Sequence, residues 1–415
     1  MENKMYFQSA LNSLVGTGLI EEPEGVIYLT DEPKIPAYAC FPSRRVKSKY
    51  YIINQFGNGF DENRIVAKIK SAGELLERLC LFNPDKRIFF VSKYSSNKDK
   101  LVDPESFRCY SGEQLGDKRQ YLKRIRNEEY RWWPVENIST GKNTFIPAQL
   151  VFLSLQFSDE FPIRKEMIST GAALGPIGEN HAFKTGFLES IERDASISAY
   201  LKKKHLARVT NLPDEIVETI DYLGRYQLEP YIFDITTDLE IPSSLVVTLD
   251  RTGLGPAVCV GASSNFKHKD AIKEALLESI QWRGVSRLIR KFHLTNLPKE
   301  NEIDSMTRRF FYWYSLERIE DLNFWLESSN KVNYNKLAEG DITEDEAVNK
   351  IKSRGYNIFS ADITLPEVRK QGFEGKKVII PELHPLYLDE NFRALYSIHY
   401  GEIKYNKTLK PHPIS

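Results

Sequence analysis

The chain has 415 residues, with 57 basic and 57 acidic side chains and a formal net charge of zero. That balance leaves no basic excess to argue for nucleic acid or a membrane surface as the main partner. With 41% hydrophobic and 27% charged residues, the composition is that of an ordinary globular protein, long enough for one large domain or two to three smaller ones. Cys40, Cys80, Cys109 and Cys259 are scattered, without CxxC or zinc spacing, which fits buried thiols in a reducing compartment. No apolar run is long enough to span a bilayer, and no signal peptide is visible. The cytoplasm is the expected location.

In chain order, the first forty residues are mixed. Leu14 to Ile20 and Gly25 to Leu29 suit short edge elements, and Glu2 to Ser9 is assigned no element. Lys47 to Asn54 reads as a strand, and Gly57-Asn58-Gly59 as a turn. Asp61 is placed to cap a helix running to about Phe82, with Ile65, Ile69, Leu76 and Leu79 at helical spacing. Arg87 to Val91 reads as a buried strand, and Ser92 to Arg119 as a polar surface insertion. Tyr130 to Glu136 is extended, and Phe145 to Leu155 is an apolar strand. Ser169 to Gly175 is a loop of small residues before a second helix, about Glu179 to Leu201.

Pro213 to Tyr226 is an amphipathic helix, followed by strands at Glu229 to Ile235, Pro242 to Leu249 and Ala257 to Ala262. A third long helix is predicted over Lys269 to Lys291, and an aromatic-rich helix over Ile303 to Leu326. Thr343 to Ser353 is a shorter helix stopped by Gly355. Tyr356 to Ile363 and Lys377 to Ile380 are strands, and the chain from Lys404 is extended. Strand, small-residue loop and helix recur, so the class is α/β (α+β) with mixed sheets.

One pattern occurs three times: Glu74-x-x-Glu77-Arg78, Glu189-x-x-Glu192-Arg193 and Glu278-x-x-Gln281-x-Arg283. Positions i and i+3 share a helical face. A single copy reads as a solvated surface with weak ion pairs. Three copies after small-residue loops, flanked by leucine, phenylalanine and isoleucine, suggest one shared ionic site. Carboxylates on apolar helices need cations, and magnesium with phosphate, helped by arginine, fits them. No Walker A motif and no kinase glycine loop is present.

At these stretches the chain resembles the YcaO family of ATP-dependent enzymes that modify peptide backbones. The resemblance rests on Gly57-Asn58-Gly59 with Ser71 to Arg78, Thr170 to Ala173 with Gly186 to Ala195, Asp270 to Arg283, and Val378 to Leu383. It implies a YcaO-type fold, with residues 1–49 as an N-terminal segment and 50–415 as the catalytic domain. It also implies ATP and Mg2+ as cofactors. Glu74, Glu77, Glu189 and Glu192 would hold the metal. Ser71 would lie near the nucleotide, and Glu278 and Gln281 would complete the pocket. Arg78, Arg193 and Arg283 would neutralise phosphate or brace the glutamates. Asp194 is expected to be an anchor rather than a ligand.

The end, Pro411-His412-Pro413-Ile414-Ser415, is similar to a reduced form of the proline-rich tail of the azoline-forming branch. The chain would then be a stand-alone D-type subunit, with residues 404–415 as an extended tail. His412 or the carboxylate of Ser415 would act as base. The implied reaction is ATP-dependent cyclodehydration of Cys, Ser or Thr in a ribosomally made precursor peptide. A separate leader-binding (E1-like) partner protein is expected, with room for a flavin dehydrogenase and for a homodimer or hetero-oligomer. Nucleic acid and membrane are not expected partners. The rival readings are thioamide or amidine formation on the same scaffold, and a non-catalytic accessory subunit.

Overall fold

The computed structural model describes residues 2–51, 56–166, 168–293, 296–404, 406 and 408–414. These divide into two compact units. The first takes residues 1–27, 35–190 and 356–382, and the second takes 28–34, 191–355 and 383–415.

In the first unit, Glu24–Gly25, Ala37–Cys40 and Gly57–Phe60 form an antiparallel sheet with Gly57–Phe60 at its edge. A second antiparallel sheet runs Phe90–Lys93, Glu129–Asn137, Phe359–Asp362, Phe373–Ile379, Ala172–Pro176, with Lys142–Pro147 paired to Glu129–Asn137. Ala172–Pro176 is an edge of this sheet. One core of leucine, tryptophan and phenylalanine side chains, Leu75, Leu79, Trp132 and Phe152 among them, fills this unit.

The second unit is built on Val258–Ser264, Ser243–Asp250, Leu228–Asp234, Ala207–Thr210 and Lys331–Asn333 in that order. Its last pair is parallel and the others are antiparallel, so the sheet is mixed. Ser243–Asp250 is buried at every position, which fits its Leu245-Val246-Val247 run and the lack of any alternation with charged residues. Val258–Ser264 is the edge. Asp234 and Asp362, each followed by isoleucine and threonine, end their strands in the same way: each accepts from the amide two residues on, at 3.0 Å.

The structure corrects several expectations. Glu2–Gly16 is a helix, with Leu11 and Leu14 buried on one face. Arg44–Lys49 is a helix capped by the Ser43 hydroxyl, where a strand was expected; residues 52–55 of that span lie outside the described residues. Asn63, not Asp61, caps the first long helix, Arg64–Phe82. Arg87 to Val91 is not buried: the strand is Phe90–Lys93, with Val91 60% exposed. Phe145 to Leu155 leaves its strand at Pro147, which has no amide to continue a ladder. The third long helix is His268–Gln281, and a separate helix follows at Arg283–His293. The aromatic stretch breaks into Met306–Tyr312, Leu316–Leu322 and Asn323–Leu326, with Trp313 and Trp325 buried as core. All four cysteines are free and buried. Among the described residues no helix is long and apolar enough to cross a membrane.

Gly57-Asn58-Gly59 is a strand, not a turn, and the glycines have a different task. Alternate strand residues face one side, and here that side carries Arg64–Phe82. A Cβ on Gly57 would stand 1.9 Å from the Ser71 carbonyl oxygen, and one on Gly59 would stand 1.8 Å from that of Ala67. The helix backbone therefore rests directly on the strand. Gly59→Ala should destabilise the protein by roughly 1–3 kcal/mol or more, because rigid backbone cannot yield. Gly73→Ala, in open space on the same helix, should stabilise it by about 0.5–1 kcal/mol. Urea midpoints of the two variants check the pair, and equal shifts would refute the direct contact.

Candidate active site

The close contact of helix and strand brings the first motif glutamate to the sheet edge. Glu74 Oε2 accepts the Asn58 amide, and Arg78 donates to its other oxygen and to the Phe56 carbonyl. Arg78 is thus a brace for Glu74. Ser71 is fully buried, and its hydroxyl donates to Lys68 of its own helix at 2.7 Å. It presents no surface to a nucleotide, and its place is in helix packing.

The second motif lies on His181–Leu201. Glu189 Oε2 accepts the Gly171 amide at 2.9 Å. Gly171 has φ +83, and a Cβ there would meet the Val378 carbonyl at 2.0 Å. Gly186 lets the helix reach Gly171 in turn, for its own Cβ would stand 2.1 Å from the Gly171 oxygen. The Ser190 hydroxyl bonds to Gly186 of its own helix at 3.0 Å and ties that helix to the neighbouring strand through the Val378 carbonyl at 3.2 Å.

Charge collects where these two motifs meet in the first unit. Burial pushes the Glu77 carboxyl well above its usual range, and the negative charges of Glu189 and Glu74 push it further. Burial also raises Glu74, against the pull of Arg78 and the Asn58 amide. Lys377 is buried beside them on Phe373–Ile379, and burial lowers its ammonium to about 7. Its Nζ donates to the Ile168 carbonyl at 2.5 Å. The sequence reading missed Lys377, and its one signal was a lysine opening an otherwise apolar strand.

The second unit repeats the device. Glu278 Oε2 accepts the Ala262 amide at 2.8 Å, and a Cβ on Gly261 would meet the Ala275 carbonyl at 2.2 Å. The separation of glutamate from amide is 16 residues here and 16 in the first motif, so the two strand–helix pairs share one register. Gln281 is half-buried at the end of the helix.

Arg283 belongs elsewhere. It is 3% exposed and pairs with Glu32 and Asp250, while Arg287 pairs with Glu32 and Asp31. This buried network engages both ends of its fork, which corrects the expectation of a phosphate contact. Arg193 and Glu192 are neighbours at 3.2 Å on the half of their helix assigned to the second unit. Asp194 is an anchor, as expected: it accepts from the His384 amide at 2.7 Å and contacts His399 and Tyr400 at 2.9 and 3.2 Å. His412 is fully buried, and burial, with Arg309 beside it, holds its imidazole well below its ordinary value. Its Nε2 donates to the Tyr387 carbonyl at 2.7 Å, which corrects its reading as a ready base. Ser415 lies outside the described residues.

Residues 57–384 match the model of the family described as YcaO cyclodehydratase, ATP- and Mg2+-binding. The chain belongs to the YcaO family. No curated protein sequence matches it. Among solved structures it is similar to a heterocyclase in complex with substrate and cofactor, at 17% identity and TM-score 0.72, covering 96% of this chain and 53% of that one. The chain therefore spans about half the length of that heterocyclase. It is also similar to YcaO from Methanopyrus kandleri bound with AMPPCP and Mg2+, at 17% identity and TM-score 0.66, covering 99% and 95% of the two chains. The E. coli microcin synthetase McbBCD complex matches at 16% identity and TM-score 0.60, covering 87% and 88%. Identities this low establish the shared fold.

The residues present fit ATP with magnesium. Mutual repulsion among Glu77, Glu189 and Glu74 is what a divalent cation relieves. Among the described residues no three acidic, histidine or cysteine side chains stand together as a ready-made metal cluster. Glu77 binds its proton more tightly folded than unfolded, so its ionisation costs stability as pH rises past about 4.3. Glu77→Gln should remove that slope, raise the ligand-free melting temperature at pH 7, and abolish the rise that ATP with Mg2+ produces. Thermal unfolding with and without Mg2+ and ATP checks this, and a variant stabilised by the ligands as strongly as wild type would refute it.

Proposed function

We propose that this protein is an ATP-dependent peptide cyclodehydratase that forms thiazoline or oxazoline rings. The observation that supports it most is the crowded Glu74, Glu77 and Glu189 set, with Glu74 and Glu189 anchored on the Asn58 and Gly171 amides, in a chain of the YcaO family. Bound Mg2+ and ATP would supply charge neutralisation and the phosphoryl group.

In the proposed reaction, a Cys, Ser or Thr side chain of the substrate peptide adds to the preceding backbone carbonyl. The oxygen of the resulting hemiorthoamide takes the γ-phosphoryl group, and ADP leaves. Loss of phosphate, with the amide proton passing to a base, leaves the ring. The peptide loses one water, and ATP becomes ADP and phosphate. In this reading Glu77 and Glu189 hold the cation, Glu74 is set by Asn58 and Arg78, and Glu192 extends the acidic face by one helical turn. Arg193 and Gln281 are proposed to serve the nucleotide. The base is assigned to the carboxylate of Ser415, because His412 is fully buried, its burial makes the imidazole a poor proton acceptor, and its Nε2 hydrogen is given to the Tyr387 carbonyl.

The E. coli microcin synthetase was solved as a McbBCD complex, also with pro-MccB17 bound. By analogy, a separate leader-binding protein is proposed to present the precursor peptide to this chain in the cytoplasm. Incubation with candidate peptide, partner, ATP and Mg2+ should remove one water per modified residue, read by mass spectrometry. Replacement of oxygen by sulfur would instead establish thioamide formation. No ATP turnover with any peptide would leave only the accessory reading. Glu189→Gln should abolish turnover. Deletion of Pro411 to Ser415 should lower ring formation by about 100-fold or more while ATP binding persists.

A further inference from the structure

Chain ends usually fray unless something ties them down. Here Pro411, His412, Pro413 and Ile414 are all buried within the second unit. Two of the four are prolines, with no amide to offer a neighbouring strand. The prolines can be gripped only through their carbonyls and ring faces, so donors from the rest of the protein matter for holding the tail.

Three contacts supply the grip. The Tyr200 hydroxyl donates to the carbonyls of Lys410 and Pro411, at 3.0 and 3.3 Å. His412 Nε2 donates to the Tyr387 carbonyl, with the two rings edge-on and 4.6 Å apart. Arg309 Nη1 donates to the His412 carbonyl at 2.8 Å. Arg309 is 1% exposed. Its fork also pairs with Glu390 at 2.5 Å and donates to the Leu388 carbonyl at 2.5 Å.

A guanidinium this deep is tolerated only when its charge is matched and its donors are used. Glu390 supplies the charge, which leaves the fork to join two stretches of backbone. One is the Leu388 segment, and the other is the tail.

We infer that Arg309, braced by Glu390, is the positioning residue that fixes the C-terminal tail, with Tyr200 as a second clamp. The inference rests on the cyclodehydratase reading, which gives the tail its chemical task. Arg309 itself touches no reacting atom. Its effect should therefore fall on the turnover of ring formation and leave the KM for ATP unchanged.

Arg309→Lys keeps a cation beside Glu390 but cannot reach the Leu388 and His412 carbonyls together. Tyr200→Phe is the milder companion and removes one hydroxyl. Each is compared with the Pro411–Ser415 deletion, alone and combined, after melting temperatures establish folding. Carboxypeptidase trimming of the full-length proteins, followed by intact mass, reads how often the tail opens. Loss of charge-assisted hydrogen bonds should speed trimming of Arg309→Lys roughly tenfold to 100-fold. The kcat for ring formation should fall in step, and Arg309→Lys should cost nothing further in the deletion background. An unchanged trimming rate would overturn the inference, as would an equal loss on top of the deletion. Faster trimming with undiminished ring formation, in the deletion as well, supports the clamp and refutes instead the catalytic task given to the tail.

Discussion

The structure depends on one contact made three times: a helix laid on a sheet edge, with a glutamate taking the edge amide. Asn58, Gly171 and Ala262 each give their N–H to a carboxylate one helix away. Each amide lies on, or directly before, the outermost strand of its sheet. Edge amides are open to water or to another chain unless something covers them. Here the covering helix also supplies the acceptor. Glycine makes this possible, since any side chain at Gly57, Gly59, Gly186 or Gly261 would drive the helix and its backbone partner apart. The fold and the acidic site are therefore parts of one arrangement. Carboxylates reach the strand amide only because the helix sits that close.

That arrangement sorts the charged residues by role. Arg78 and Arg283 look alike in sequence, each following an acidic or amide pair on a helix. Arg78 braces a glutamate that is itself half-buried at the site, whereas Arg283 is held within a buried network with Glu32 and Asp250. The partners of Arg283 are 251 and 33 residues away in the chain. Such pairs have no periodic signature, so the motif that Arg283 shares with Arg78 could not reveal them.

Other parts were legible for physical reasons that can be named. The ladder of apolar and acidic residues from Ile65 to Leu79 marks its helix, because burial follows the helical period. The strand at Ser243–Asp250 shows itself by its apolar run. Gly57-Asn58-Gly59 misleads because glycine promotes turns when it stands alone, and only the helix above it reveals its use as a packing surface. Lys377 misleads in the opposite way. A lysine in a strand reads as a solvent-facing residue, and the carboxylates that draw it inward come from two other segments. The helix at Arg44–Lys49 rests on a single serine cap, a local signal outweighed by the β-branched and aromatic residues after it.

The three anchoring residues pose a question that the strand amide alone does not answer. A glutamine would accept the same amide hydrogen without bringing a negative charge into the protein. Burial raises the Glu74 carboxyl, so its ionised form is costly there, and the charge of Glu74 in turn pushes the Glu77 carboxyl up. Yet the anchoring position holds glutamate on all three helices, while the position three residues on is glutamine at Gln281. The fold needs only an acceptor at Glu74, Glu189 and Glu278. The carboxylate is one charge more than the sheet edge requires, and such a charge is stable only when a cation is close to it. Arg78 answers this in part for Glu74. Arg78 and Lys377 also favour the ionised form of Glu77, but burial outweighs them, and burial lowers the Lys377 ammonium itself to about 7. Glu77, between Glu74 and Glu189, is thus the carboxyl whose ionised form the protein disfavours most, and it is there that a magnesium ion carrying ATP phosphates is proposed to favour that form.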